Sequence, residues 1–184
     1  MKKTIVTFIL VFLATGCATS FPQRDISAIK QKAEIGNVDA QAEIGYSYQY
    51  GDGVEKNPTE ALKWNLKAAN QGNAMAQHNL AVMYDEGVDI QEDNAEAVKW
   101  YQKAAEQGHP RAQLNLGVMY WRGEGVPKNL EKAWNLLNTV RITSTDKDAR
   151  WAARGALDEI KKELGANIGN FSYPEWDALQ KSVK

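Results

Sequence analysis

The sequence predicts an all-α fold, an array of stacked helix pairs, on three observations. A 36-residue period runs through the chain, and Gly36, Gly72 and Gly108 open three successive copies. Six columns are identical in every copy: those glycines, Ala40/Ala76/Ala112, Gln41/Gln77/Gln113, Tyr48/Tyr84/Tyr120, Gly51/Gly87/Gly123 and Ala61/Ala97/Ala133. Within each copy the apolar positions fall at helical spacing, first i, i+4, i+8 and then i, i+3, i+7. Self-similarity at a fixed period marks a repeat array, in which each unit buries its apolar face against its neighbours. At 184 residues the chain suits one domain with a short leader, and its 43% apolar and 24% charged residues exclude disorder. The formal net charge of -1 becomes about -3 without leader residues Lys2 and Lys3, which excludes the basic footprint of a nucleic-acid binder.

Met1-Lys2-Lys3 and the apolar run Ile5 to Ala14 have the form of an export signal over residues 1–16, too short to remain as a membrane helix. The run closes in Leu13-Ala14-Thr15-Gly16-Cys17, which resembles the lipobox of bacterial lipoproteins, with Ala14 where leucine is common. That resemblance implies lipidation of Cys17 as the new N-terminus, with residues 17–24 as lipidated cysteine and tether. Cys17 is the only cysteine, so no disulfide forms within one molecule. Ala18 stands where an aspartate would favour inner-membrane retention, and the lipoprotein rule therefore implies an outer-membrane anchor facing the periplasm.

Residues 25–35 read as an N-terminal capping helix, with Ala33 one period before Ala69. In the first copy, residues 36–71, Ala40, Ile44 and Tyr48 form the stripe of a helix from about Val38 to Tyr50. Copies two (72–107) and three (108–143) repeat it as Ala76-Leu80-Tyr84 and Ala112-Leu116-Tyr120. The small residues Gly45, Ala81 and Gly117 beside the stripe admit a close neighbour, and Gly51, Gly87 and Gly123 suit left-handed C-caps. Asn57-Pro58-Thr59-Glu60 opens a second helix with an N-cap, a proline at the first position and a returning glutamate, and Asp93-Asn94-Ala95-Glu96 repeats the logic. Copy three has Lys132 in place of that glutamate, so a weaker cap is expected. Ala61-Trp64-Ala68 and Ala97-Trp100-Ala104 give these helices a core face. Over residues 144–184, C-terminal capping helices are expected: Ala149, Ala153, Ala156, Leu157, Ile160 and Leu164 form a stripe backed by Asp158, Glu159, Lys161 and Lys162. Ser172 with Glu175, and Phe171 with Trp176, signal a last short helix.

Ala-Gln-x-x-Leu-Gly-x-x-Tyr, then Gly-x-Gly-Val, then Ala-x-x-Trp-x-x-x-Ala-Ala resembles the Sel1-like repeat, a relative of the tetratricopeptide repeat. Gly36 to Gln71 and Gly108 to Val140 carry it well, copy two departs at Gly87-Val88-Asp89-Ile90, and copy three has Leu136 for the second-helix tryptophan. The resemblance implies a right-handed α-solenoid of antiparallel helix pairs that serves as a scaffold for protein assembly. Registering the related arrays' groove on Ile44, Leu80 and Leu116 implies a partner-binding surface of Tyr46, Gln49, Tyr50, His78, Asp85, Glu86, Arg111, Trp121 and Arg122, with Val82 and Val118 between them. Trp121 and Tyr50 have a second reading, as covers of the interfaces between units.

A catalytic constellation is not found. His78 and His109 lie 31 residues apart without a companion cysteine or a His-x-x-x-His spacing, so no metal is expected, and His109 before Pro110 reads as a solvated turn residue. Asp85-Glu86 and Glu92-Asp93 sit at helix ends, where capping accounts for Asp93. Gly51-Asp52-Gly53 and Gly123-Glu124-Gly125 recur at the period and read as repeat turns rather than a phosphate loop. The leading expectation is a non-enzymatic, lipid-anchored periplasmic adaptor that binds an envelope or secreted protein and uses no cofactor. The alternatives are an immunity or inhibitor lipoprotein, and a binder or hydrolase of cell-wall fragments or beta-lactams, the last by analogy with disulfide-rich Sel1 relatives.

Overall fold

The computed structural model describes residues 25–87 and 90–167, which form eight helices and no strand. They are α1 (Ser27–Glu34), α2 (Val38–Tyr50), α3 (Pro58–Ala69), α4 (Ala74–Glu86), α5 (Asn94–Glu106), α6 (Pro110–Arg122), α7 (Leu130–Thr143) and α8 (Lys147–Asn167). Each helix packs most extensively on its sequence neighbours, first within the pairs α2/α3, α4/α5 and α6/α7 and then from pair to pair, as an α-solenoid requires. The export signal, Cys17, the tether, and the Ser172/Glu175 and Phe171/Trp176 signals lie outside the described residues.

The alanine stripe forms the core. Ala40, Ile44, Ala76, Leu80, Ala112 and Leu116 are buried, as are Trp64 and Trp100 of the second helices. The small-residue column has a steric reason: a Cβ on Gly45 would lie 2.5 Å from Asn65 Oδ1, and one on Gly117 would lie 2.9 Å from Leu137 Cγ. The close neighbour is thus the second helix of the same pair. At the helix ends, Gly51, Gly87 and Gly123 adopt φ of 77°, 60° and 77°, the left-handed cap conformation.

A glutamine ladder joins the pairs. Gln41, Gln77 and Gln113 each donate through Nε2 to the carbonyl eight residues back, on Ala33, Ala69 and Ala105, at 3.1–3.2 Å. Gln71 and Gln107 in turn donate to Gln41 and Gln77 Oε1, both at 2.7 Å. A glutamine at the same place in every copy therefore adds a second hydrogen bond to a carbonyl that already accepts from the Gly36, Gly72 or Gly108 N–H, and so ties each unit to the one before it.

The second helices are capped differently from the capping-box expectation. Asn57, Asp93 and Asn129 accept from the backbone N–H three residues on, at 3.1, 2.9 and 2.9 Å. Their own N–H groups, which a returning glutamate would satisfy, instead donate to the carbonyls of Tyr48, Tyr84 and Tyr120 at 2.8–2.9 Å. Lys132 therefore costs copy three no hydrogen bond at this position, and the glutamates turn outward, Glu60 accepting from Lys63 and from Trp64 Nε1 and Glu96 from Lys99.

The ends of the array are covered as the stripes require. In α1, Ala33 is buried against Ala40, Ile44 and Trp64. In α8, Ala149, Ala153, Leu157 and Ile160 close the core over α7, while Asp158, Glu159, Lys161 and Lys162 face water.

Candidate functional site

The first helices end one period apart at Tyr50, Glu86 and Arg122, and this register builds a face of residues contributed by α2, α4 and α6. On α2, Tyr46 and Tyr50 are 41% and 52% exposed, large values for aromatic side chains. Their ring centroids lie 4.6 Å apart at 44°. Gln49 is buried, and its Nε2 donates to the Tyr50 hydroxyl at 3.3 Å, so it supports the ring rather than lining the surface. Val82 is likewise buried. Burial, then the Glu86 carboxylate, then Tyr46 push the Tyr50 hydroxyl above the usual phenol range, while Arg111 pulls it back. Tyr46, Tyr50, Glu86 and Arg111 therefore act on one another across the units.

His78 and His109 are not where separate helical positions would leave them. Packing of α4 and α6 on the two sides of α5 brings their rings to 4.7 Å between centroids, at 30° to each other. His109 is half-buried and caps α6, its Nδ1 accepting the Ala112 N–H at 3.3 Å, which corrects its reading as a solvated turn residue. Burial, then the charge of His109, lower His78 to about 4. Among the described residues no group of three or more His, Cys, Asp or Glu is placed to hold a metal ion.

Asp85 owes its place to a residue the sequence did not single out. The Tyr101 hydroxyl, from α5, donates to Asp85 Oδ2 at 3.1 Å and accepts from Asn115 Nδ2 at 2.9 Å. One period earlier the equivalent residues are Gln49, Asn65 and Asn79, where asparagine replaces the tyrosine. There, Gln49 Oε1, Asn65 Oδ1 and Asn79 Nδ2 are buried without a hydrogen-bond partner. The mismatch of Asn65, Tyr101 and Leu137 in an otherwise regular column was the available signal.

The remaining positions are engaged within the chain. Arg111 Nε donates to Asp146 Oδ2 at 2.9 Å. Trp121 is half-buried against α8, with its Nε1 donating to Glu163 Oε2 at 2.8 Å and Lys128 binding the same carboxylate. This is the interface-covering arrangement for Trp121. Arg122 lies 5.9 Å from the Trp121 ring centroid and 3.8 Å from Glu124.

Helix pairs stacked in register and tied by a glutamine ladder, with Tyr46 and Tyr50 exposed on the first helix of the first pair, define an α-solenoid repeat module. The chain belongs to the Sel1 repeat family, whose repeat matches residues 38–73, 74–109 and 110–138. It is 42% identical over 69 residues to the secretory immunoglobulin A-binding protein EsiB of Escherichia coli, a match covering 37% of this chain and 14% of that protein's length. A Sel1 repeat protein from Oxalobacter formigenes is similar in structure, with 34% identity, a TM-score of 0.60, and coverage of 66% of this chain and 92% of that one. A protective antigen of uropathogenic Escherichia coli strains displaying an SLR fold has 32% identity and a TM-score of 0.62, over 80% of this chain and 34% of its own. Helicobacter pylori cysteine rich protein B, at 20% identity and a TM-score of 0.53 over 68% and 95% of the two chains, shares the fold.

Proposed function

We propose that the chain is a lipid-anchored adaptor of the bacterial envelope that holds a protein partner against the face formed by α2, α4 and α6. Sel1 repeats mediate protein–protein interaction and are typically non-enzymatic. The observation that carries the reading to a place on this chain is the exposed Tyr46/Tyr50 pair, since tyrosine is among the residue types enriched at binding hot spots. Trp121 is a structural contact to α8 in this reading, and the partner surface centres on α2 and α4.

The anchor rests on the Leu13-Ala14-Thr15-Gly16-Cys17 motif. Stable attachment needs more than one acyl chain, which lipoprotein maturation at Cys17 would supply. Cys17→Ser should release the protein from the membrane fraction or stall its maturation, and unchanged fractionation would remove the anchor. Photo-crosslinking in the native envelope from position 50, with exposed Lys99 on α5 as the control, tests the surface. One protein captured only from position 50 is expected. Equal capture from both positions would overturn the reading.

A further inference from the structure

We infer that the corner formed by Tyr46, Tyr50 and Glu86 receives an arginine side chain of the partner, an inference that rests on the first-helix face being the partner surface. The argument starts from copy three, which carries its own cation at this register. Arg122, the last residue of α6, lies over the Trp121 ring and beside Glu124, an aromatic and a carboxylate together holding a guanidinium. The equivalent last residues of α2 and α4 are Tyr50 and Glu86, and neither helix has a basic residue in its last turn. Neither helix thus supplies a cation of its own there, and Arg111, which reaches Tyr46 and Tyr50 from the start of α6, is already paired with Asp146.

Three physical terms favour a cation in that corner. Two half-exposed tyrosine rings, 4.6 Å apart and tilted to each other at 44°, offer cation–π contact, for which arginine is the commonest partner. The C-terminal ends of α2 and α4 place the negative poles of two helix dipoles there. Glu86 is exposed, and no ion pair holds it among the described residues, whereas the basic residues of the same face are already matched, Arg111 by Asp146 and Arg122 by Glu124. The charge left unmatched on this face is that of Glu86. Arginine suits the site better than lysine because its planar guanidinium can stack on a ring while donating to a carboxylate.

The test is an NMR titration of the intact protein with three blocked pentapeptides, Ser-Gly-X-Gly-Ser, in which X is arginine, norleucine or glutamate. The arginine peptide should shift the Tyr46 and Tyr50 ring signals saturably, about tenfold more tightly than the norleucine peptide, and added salt should weaken it. Glu86→Gln, an exposed substitution that leaves the fold intact, should remove most of that preference. Equal binding of arginine and norleucine, preference for glutamate, no shift with any peptide, or an unchanged preference in Glu86→Gln would each overturn the inference. Shifts produced by the norleucine or glutamate peptide would leave the partner surface standing while removing its basic ligand. Loss of the surface itself would appear separately, as unselective crosslinking from position 50.

Discussion

Acidification from about pH 7 to about pH 4 should loosen the joint between the second and third helix pairs, with His78 as the main cause. Its ring, on α4, is partly buried, stacked on His109 at the start of α6 and near Arg111, and its pKa is lowered from 6.5 to about 4 chiefly by burial. Asn79 opposes that shift through a hydrogen bond, and the Tyr101 ring lies 5.8 Å away, tilted at 53°. The unfolded chain therefore binds a proton at His78 in a pH range where the folded chain does not. The stabilisation is complete above the unfolded pKa, falls as the pH drops through the window between 6.5 and about 4, and is exhausted below it. At 1.36 kcal/mol per tenfold difference in proton affinity, the loss is roughly 3 kcal/mol, a sizeable part of a typical domain's 5–15 kcal/mol. His109, lowered first by burial and then by Arg111, acts in the same direction, and a proton on its Nδ1 would also abolish the cap on Ala112. Asp85, raised by burial, acts in the opposite direction. Urea unfolding followed by circular dichroism across this window, on the wild type and on His78→Leu, reports His78 together with its coupling to His109, because the contributions of groups not in contact with His78 cancel between the two. Leucine is the residue that copy three carries at this position, as Leu114. The wild type should lose roughly 3 kcal/mol more than the variant over the window, and parallel pH profiles would refute the reasoning.

Asn65→Leu, which reproduces the Leu137 environment beside a glycine, removes a buried carbonyl oxygen without a partner and should raise the unfolding free energy by about 1 kcal/mol in calorimetry or urea titration. Gly125→Ala should destabilise by roughly 2–4 kcal/mol, because its Cβ would meet Asn94 O at 2.2 Å in a left-handed conformation. Gly72→Ala, left-handed but open, should cost only about 1 kcal/mol, and equal losses in the two variants would contradict the packing argument. Trp121→Ala should cost about 2–3 kcal/mol and increase amide exchange in α8, since it removes the Glu163 contact; unchanged exchange in α8 would show that Trp121 does not hold that helix.

The repeat fold was legible because its causes are local and recur. The alanine stripe, the capping residues at Asn57, Asp93 and Asn129, and the glycine C-caps each state their purpose within one turn of helix, and the period repeats the statement. What could not be read arises between units. His78 and His109 occupy different columns and meet only because successive helix pairs pack together through α5. The capping glutamates were misread because the competing acceptor, the carbonyl of the first-helix tyrosine, belongs to the preceding helix. Trp121 occupies the column of Gln49 and Asp85, yet copy three is followed by α8 rather than another repeat, and the same position becomes a structural contact. Tyr46 and Tyr50, near the C-terminal end of α2, are exposed among the described residues.

The measurement that tests the central claim most directly is recovery of the crosslinked partner by three forms of the full chain: wild type, Tyr46→Ala/Tyr50→Ala, and a control altered at exposed Lys63 and Lys99 on the second helices. The account predicts that the tyrosine variant retains its helicity and loses the partner, while the control retains both. Undiminished recovery by the folded tyrosine variant would contradict it.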